Sequence, residues 1–149
     1  ARAGTDDFYR GELARSIARD GEGAKRLIEV KVEGARSNQD ARIGARTIAG
    51  SSLVKAAVYG ADPNWGRVVA AMGRSGAEMV EQKVDVYLGA VCVMKSGVPQ
   101  AFDVIAARKA LRAKEVGIRL NLNLGRGKAT AWGCDLTPRY VTINSAYTT

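Results

Sequence analysis

The sequence predicts a mixed α/β fold, α+β in character, with helices packed on a mixed sheet. Two periodicities predict it. Ile28, Val30 and Val32, and later Val116, Ile118, Leu120, Leu122 and Leu124, recur at every second position, the signature of strands with one buried face. Between them lie stretches such as Ala41, Ala45 and Ile48, or Trp65, Val68, Val69 and Met72, spaced to share one face of a helix. The third observation is bulk composition. A chain of 149 residues, 46% hydrophobic and 26% charged, matches an ordinary globular domain and can bury roughly 70% of its unfolded surface. No apolar run approaches the length that spans a bilayer, so no membrane segment is expected.

Taken in order, Tyr9, Leu13 and Ile17 stand four apart and predict a helix over 7–19, with Arg15 and Arg19 elsewhere on its surface. Asp20-Gly21-Glu22-Gly23 ends it, because paired glycines break helices and permit positive φ. Residues 27–33 alternate as a half-exposed strand, with Glu29, Lys31 and Glu33 outward. Ser37 and Asp40 make a capping-box pattern that starts a helix running to about residue 50. Val54–Tyr59 is expected to be a short apolar strand. Asp62-Pro63 then supplies an N-cap and a first-turn proline for a helix through Met72, ended by Gly73–Gly76. Val84, Val86 and Leu88 predict a strand, with Gly89 as a bulge and Ala90–Met94 as its continuation to a Ser96-Gly97 turn. Asp103 caps a helix to about residue 113, and the alternating run 116–124 is the clearest strand of the chain. Gly125–Gly127 is expected to turn it into a hairpin with Thr130–Leu136, and Val141 and Ile143 predict a last strand.

Composition also excludes chemistry. With no histidine in the chain, Ser-His and Cys-His pairs are ruled out, and acid-base work falls to carboxylates, amines or termini. Cys92 and Cys134 lie in apolar surroundings without metal or redox spacing, so two reduced, buried thiols and a cytoplasmic setting are expected, with no metal site. The net charge of +8 is strewn along the chain among acids, and its densest group, Arg108, Lys109, Arg112 and Lys114, falls on one helix. A solvated helix face accounts for that group, so no nucleic-acid partner is expected. The opening ARAGTDDFYR lacks a basic region followed by a long apolar stretch, so no secretion signal is expected, and its abrupt start suits a fragment or a processed chain.

Several motifs that look functional are structural by their spacing. Gly125-Arg126-Gly127-Lys128-Ala129 departs from a phosphate loop at Leu122 and Ala129, and Gly21-Glu22-Gly23 departs from a dinucleotide fingerprint at Arg26. Asp62–Arg67 reads as helix-start chemistry with Trp65 as an anchor, and Trp132–Asp135 as a core strand that meets it. Glu22, on a tight glycine-bordered connection, can face either solvent or a cationic ligand. The closing Asn144–Thr149 offers small polar groups that can fray or fold into a cleft.

RDGEGAK at 19–25, VKVEGARS at 30–37, LVKAAVYGADPNWGRVVAAMGRSG at 53–76, VDVYLG at 84–89, TAWGCDLT at 130–137 and the final YVTINSAYTT together resemble the family of ornithine acetyltransferases and glutamate N-acetyltransferases, in order and over nearly the whole chain. The resemblance implies the C-terminal part of an enzyme similar to N-terminal nucleophile hydrolases, which cleaves itself and uses the new N-terminal Thr as acyl acceptor. An acetyl group then passes from N2-acetylornithine to that Thr and on to glutamate, with acetyl-coenzyme A as a further donor in some members and no resident cofactor. By the same resemblance Glu22, Asn144 and Thr149 bind the amino-acid substrate. Residues 1–36 then close the catalytic core region, and 37–149 form a C-terminal α/β domain. The family's nucleophile and oxyanion-hole threonines belong upstream, so no catalytic residue is expected in this chain, Thr5 included. The implied partners are N2-acetylornithine, ornithine and glutamate, an α chain and the rest of the β chain, assembled as a heterotetramer. The competing expectation is a non-catalytic amino-acid-binding or assembly module of the same fold.

Overall fold

The structure is a computed structural model describing residues 3–146, with side chains described from Gly11 onward. Helix α1 (Ala3–Arg19) precedes strand β1 (Leu27–Ala35), followed by helices α2 (Asn38–Ala49), α3 (Ser52–Tyr59) and α4 (Trp65–Gly73). Strands β2 (Asp85–Leu88), β3 (Val91–Lys95) and β4 (Val98–Pro99) come next, then α5 (Val104–Arg112), β5 (Glu115–Asn121), β6 (Gly127–Cys134) and α6 (Pro138–Ser145). The strands form one sheet in the order β4-β3-β2-β5-β1-β6. Since β1 runs parallel to β5 and antiparallel to β6, the sheet is mixed, as the two periodicities predict.

The core lies where the alternating residues place it. Ile28, Val30 and Val32 of β1 and Val116 and Leu120 of β5 are fully buried, and Ala41, Ala45 and Ile48 bring α2 onto the same face. Each such Val, Leu or Ile contributes about 1.5–3 kcal/mol by leaving water. Ser37 caps α2 by accepting from Asp40 N–H, and Asp103 caps α5 by accepting from Ile105 and Ala106 N–H, both as expected. Cys92 and Cys134 are free thiols. Leu13 and Ile17 of α1, by contrast, are exposed, so the four-residue spacing marks a helix whose apolar stripe is left uncovered by the described residues.

Six local expectations fail, each for a physical reason. Val54–Tyr59 is helix α3: Ser51 accepts from Val54 N–H, and Val54, Ala57 and Val58 share one buried face, which a short apolar run conceals. The cap of α4 is Asn64, accepting from Arg67 N–H, and Asp62 instead accepts from Asn64 Nδ2. Gly89, at φ +58, closes a hairpin and is no bulge, so Val91–Lys95 returns antiparallel beside β2. Strands β5 and β6 form no hairpin, because Leu124 and Gly125 N–H donate to Gly34 C=O, carrying the chain across the end of β1 to pair on its far side. The last strand is helix α6, started by Thr137 as N-cap and Pro138 in its first turn, with no buried residue to enforce the Val141/Ile143 alternation. Trp132–Asp135 does run along β6 and into its exit, but that strand packs on α2 and α1 instead of meeting the 62–67 segment.

Candidate functional site

The connection from α1 to β1, residues 20–26, carries Glu22 and is held from two sides. On one side is Asp135, just past β6. Its carboxylate is fully buried, and Oδ1 accepts from Lys25 N–H at 2.8 Å and Arg26 N–H at 3.0 Å. Oδ2 has no hydrogen-bond partner among the described residues and faces Arg26 Nη1 at 3.7 Å. Arg26 Nη1 in turn donates to Val58 C=O and Tyr59 C=O, each at 2.9 Å, where the carbonyl end of α3 favours a cation. Charge and hydrogen bonds thus offset the cost of burying the carboxylate.

On the other side is Thr137. Its Oγ1 donates to Gly23 C=O at 2.6 Å and accepts from Tyr140 N–H at 2.9 Å, so one buried hydroxyl serves the loop and caps α6 together. Gly23 sits at φ +83, and a Cβ there would lie 2.8 Å from Tyr140 N and 3.0 Å from Arg139 C. Only glycine fits so close to a neighbouring backbone.

Asn144 lies one turn further along α6, its Nδ2 donating to Tyr140 C=O at 2.7 Å. The structure therefore sets the Glu22 loop against the helix that carries Asn144, with Tyr140 in contact with Gly23 and bonded to Asn144. Both Glu22 and Asn144 are exposed. Thr149 lies outside the described residues.

Sequence reasoning missed Asp135 and Thr137, having placed Asp135 in a strand over 130–136 and given Thr137 no role of its own. A signal was present: Thr followed by Pro after an apolar strand is a helix-start pattern. Nearby Cys134 is no nucleophile. Burial pushes its thiol up, and Lys55 opposes this only in part, so it stays protonated at neutral pH. Among the described residues, no three His, Cys, Asp or Glu side chains gather to hold a metal.

Two concavities adjoin this arrangement without including Glu22 or Asn144. One, about 260 Å³, sits against Ala24, Lys25 and Arg26. A larger groove of about 880 Å³ runs between α1, α2 and β6 and presents Arg42, Arg46, Lys55 and Lys128. Glu22 and Asn144 line neither. Both stand on an open surface.

The model of the ArgJ family matches residues 7–149. The chain belongs to the ArgJ family. Among its curated relatives, the arginine biosynthesis bifunctional protein ArgJ of Dehalococcoides mccartyi is 61% identical over 137 residues, covering 92% of this chain and 34% of that protein. The protein of the same name from Bacillus subtilis is 49% identical over 138 residues, covering 93% of this chain and 34% of its own length. The crystal structure of ArgJ from Bacillus halodurans superposes with a TM-score of 0.88 at 46% identity, covering 95% of this chain and 70% of that one. The chain thus spans about a third of the length of these curated relatives, and it shares the mixed α/β fold of the solved ArgJ.

Proposed function

We propose that this ArgJ-family chain is the C-terminal part of an acetyltransferase of arginine biosynthesis that moves an acetyl group from N2-acetylornithine to glutamate. Glu22, Asn144 and Thr149 hold the amino acid while it exchanges acetyl with a threonine at the new N-terminus of a self-cleaved β chain, outside these 149 residues. That threonine's hydroxyl oxygen attacks the acetyl carbonyl, its own free amine takes the proton, and ornithine leaves as the amine after gaining a proton. The glutamate amine then attacks the resulting ester and releases the threonine. No histidine is needed, because the nucleophile carries its own base. Acetyl-coenzyme A serves as a second donor through the same acetyl-threonine, with no resident cofactor. The division at residues 36 and 37 into a core segment and a C-terminal domain belongs to this reading, as do the α chain, the heterotetramer and the cytoplasmic setting.

The observation that carries the proposal is the contact of the Glu22 loop with α6, which ties two residues more than a hundred positions apart into one surface. An ornithine or glutamate ligand bears ammonium and carboxylate groups, which an acid, an amide and a hydroxyl are suited to orient. The test is to co-express the chain with its upstream coding region and assay acetyl transfer from N2-acetylornithine to glutamate. In that complete enzyme Glu22→Ala is expected to lower kcat/KM by about tenfold or more, the cost of a charged contact. Unchanged kinetics would remove Glu22 from the site. A complete protein that binds N2-acetylornithine without transferring acetyl would instead favour the non-catalytic module.

A further inference from the structure

We propose that Thr137 is a positioning residue, setting the Glu22 loop relative to Asn144 through its two hydrogen bonds; this rests on the roles proposed above for those two residues. A hydroxyl has one proton and two lone pairs. Here the proton goes to Gly23 C=O at 2.6 Å, beside Glu22, and a lone pair takes Tyr140 N–H at 2.9 Å, one turn before Asn144. With Thr137 only 2% exposed, water cannot readily replace either bond.

The other side-chain caps show what a cap alone requires. Among the described residues, Ser37, Ser51 and Asp103 accept from the first turn of their own helices and make no side-chain bond to another segment, and the Asn64 amide reaches only as far as Asp62. Thr137 alone among these caps also donates to a distant segment, 114 residues away in sequence. Capping would be served as well by Asp, which ranks with Ser and above Thr at N-cap positions but has no proton to give at neutral pH. The hydroxyl at position 137 thus serves the helix and the Gly23 bond together, which a carboxylate cap could not do. Gly23 also lies against the first turn of the same helix, where a Cβ would come within 2.8 Å of Tyr140 N and 3.0 Å of Arg139 C.

The test uses the complete enzyme with its upstream region and compares KM, kcat and thermal midpoint for Thr137→Val, Thr137→Ser and Thr137→Asp, with Glu22→Ala and Asn144→Ala as references. Thr137→Val, of the same shape but without either bond, is expected to raise KM for N2-acetylornithine about tenfold, as losing a buried hydrogen bond to a positioning group implies, while kcat per folded enzyme changes by less than about threefold. Thr137→Ser keeps both bonds and restores KM to within about twofold. Thr137→Asp keeps the cap and loses the donor, so it raises KM even if Thr137→Val does not fold. A purely structural role would lower the thermal midpoint of Thr137→Val and Thr137→Asp, spare that of Thr137→Ser, and leave KM untouched in all three. The proposal is overturned if Thr137→Val or, failing that, Thr137→Asp leaves KM unchanged while Glu22→Ala and Asn144→Ala raise it. If neither reference variant alters KM, the functional assignment falls and this inference with it.

Discussion

The middle of the sheet and the C-terminal corner hold together by different means. In β1, β5 and α2, Ile28, Val30, Leu120 and Ile48 are all fully buried, and each is surrounded by other apolar side chains. In α6 no residue is buried, and the corner depends on a few directed bonds from Thr137 and Asp135 to the connection carrying Glu22. Apolar packing is non-directional and tolerates local change, whereas a hydrogen bond fails when one atom is lost. Substitutions in the sheet should therefore act on stability, and substitutions in the corner on geometry.

The largest expected effect lies in the sheet. Leu120→Ala removes a fully buried side chain from the strand between β2 and β1, and should destabilise by about 2–5 kcal/mol in urea unfolding, with KM of the complete enzyme unchanged. A loss below about 1 kcal/mol would mean that the sheet can collapse around the gap, and would narrow the contrast with the corner. Gly23→Ala comes next. A residue with a Cβ pays about 1–2 kcal/mol at the left-handed φ of +83, and this Cβ would meet backbone atoms of Arg139 and Tyr140 that cannot rotate aside. Destabilisation of that size should be accompanied by a KM increase larger than that of Leu120→Ala. If the two variants changed KM alike, the corner would have no special place in binding.

The same contrast decides what could be read in the sequence. Strand β5 was legible because each inward residue from Val116 to Leu122 is buried against one face, so periodicity and tertiary environment agree. The caps at Ser37 and Asp103 were legible because they are local. Segment 138–145 was misread since Val141, at 49% exposure, faces no core, and its alternation with Tyr140 and Thr142 carries no packing information. The path of β6 was hidden for another reason. Whether a strand pairs with the one before it or crosses to the next depends on long-range contacts such as Gly125 N–H to Gly34 C=O, which spacing does not encode. For the candidate site, residue types named Glu22 and Asn144 through family resemblance, but the buried bonds that bring their segments together belong to Asp135 and Thr137, residues that look structural when read alone.

The smallest expected effect comes from a directed cluster inside the sheet half, where the contrast can be sharpened. Asp85 in β2 is 2% exposed and accepts from Lys95 Nζ at 2.7 Å, Ser96 N–H at 2.8 Å and Asn123 Nδ2 at 3.2 Å. Burial by itself would raise its pKa, but the Lys95 bond, the Ser96 amide and the Asn123 amide together outweigh it and hold the carboxyl below its ordinary value. A carboxylate whose folded pKa is depressed binds protons more weakly in the folded state than in the unfolded chain. Its stabilising contribution is then full above the unfolded pKa of about 3.9 and is lost as pH falls through the folded value. Lys95 is half exposed, so solvent screens that part of the interaction and the total effect should be modest. Asp85→Asn should therefore lower stability by about 1 kcal/mol at pH 7, with the gap to the parent chain narrowing below pH 4 as the parent loses the same interaction. Urea midpoints at pH 7 and pH 3 measure both quantities. A gap that stays constant across that range would show that the buried carboxylate acts through shape alone, and that charge gives the sheet half no directed component to set beside the corner.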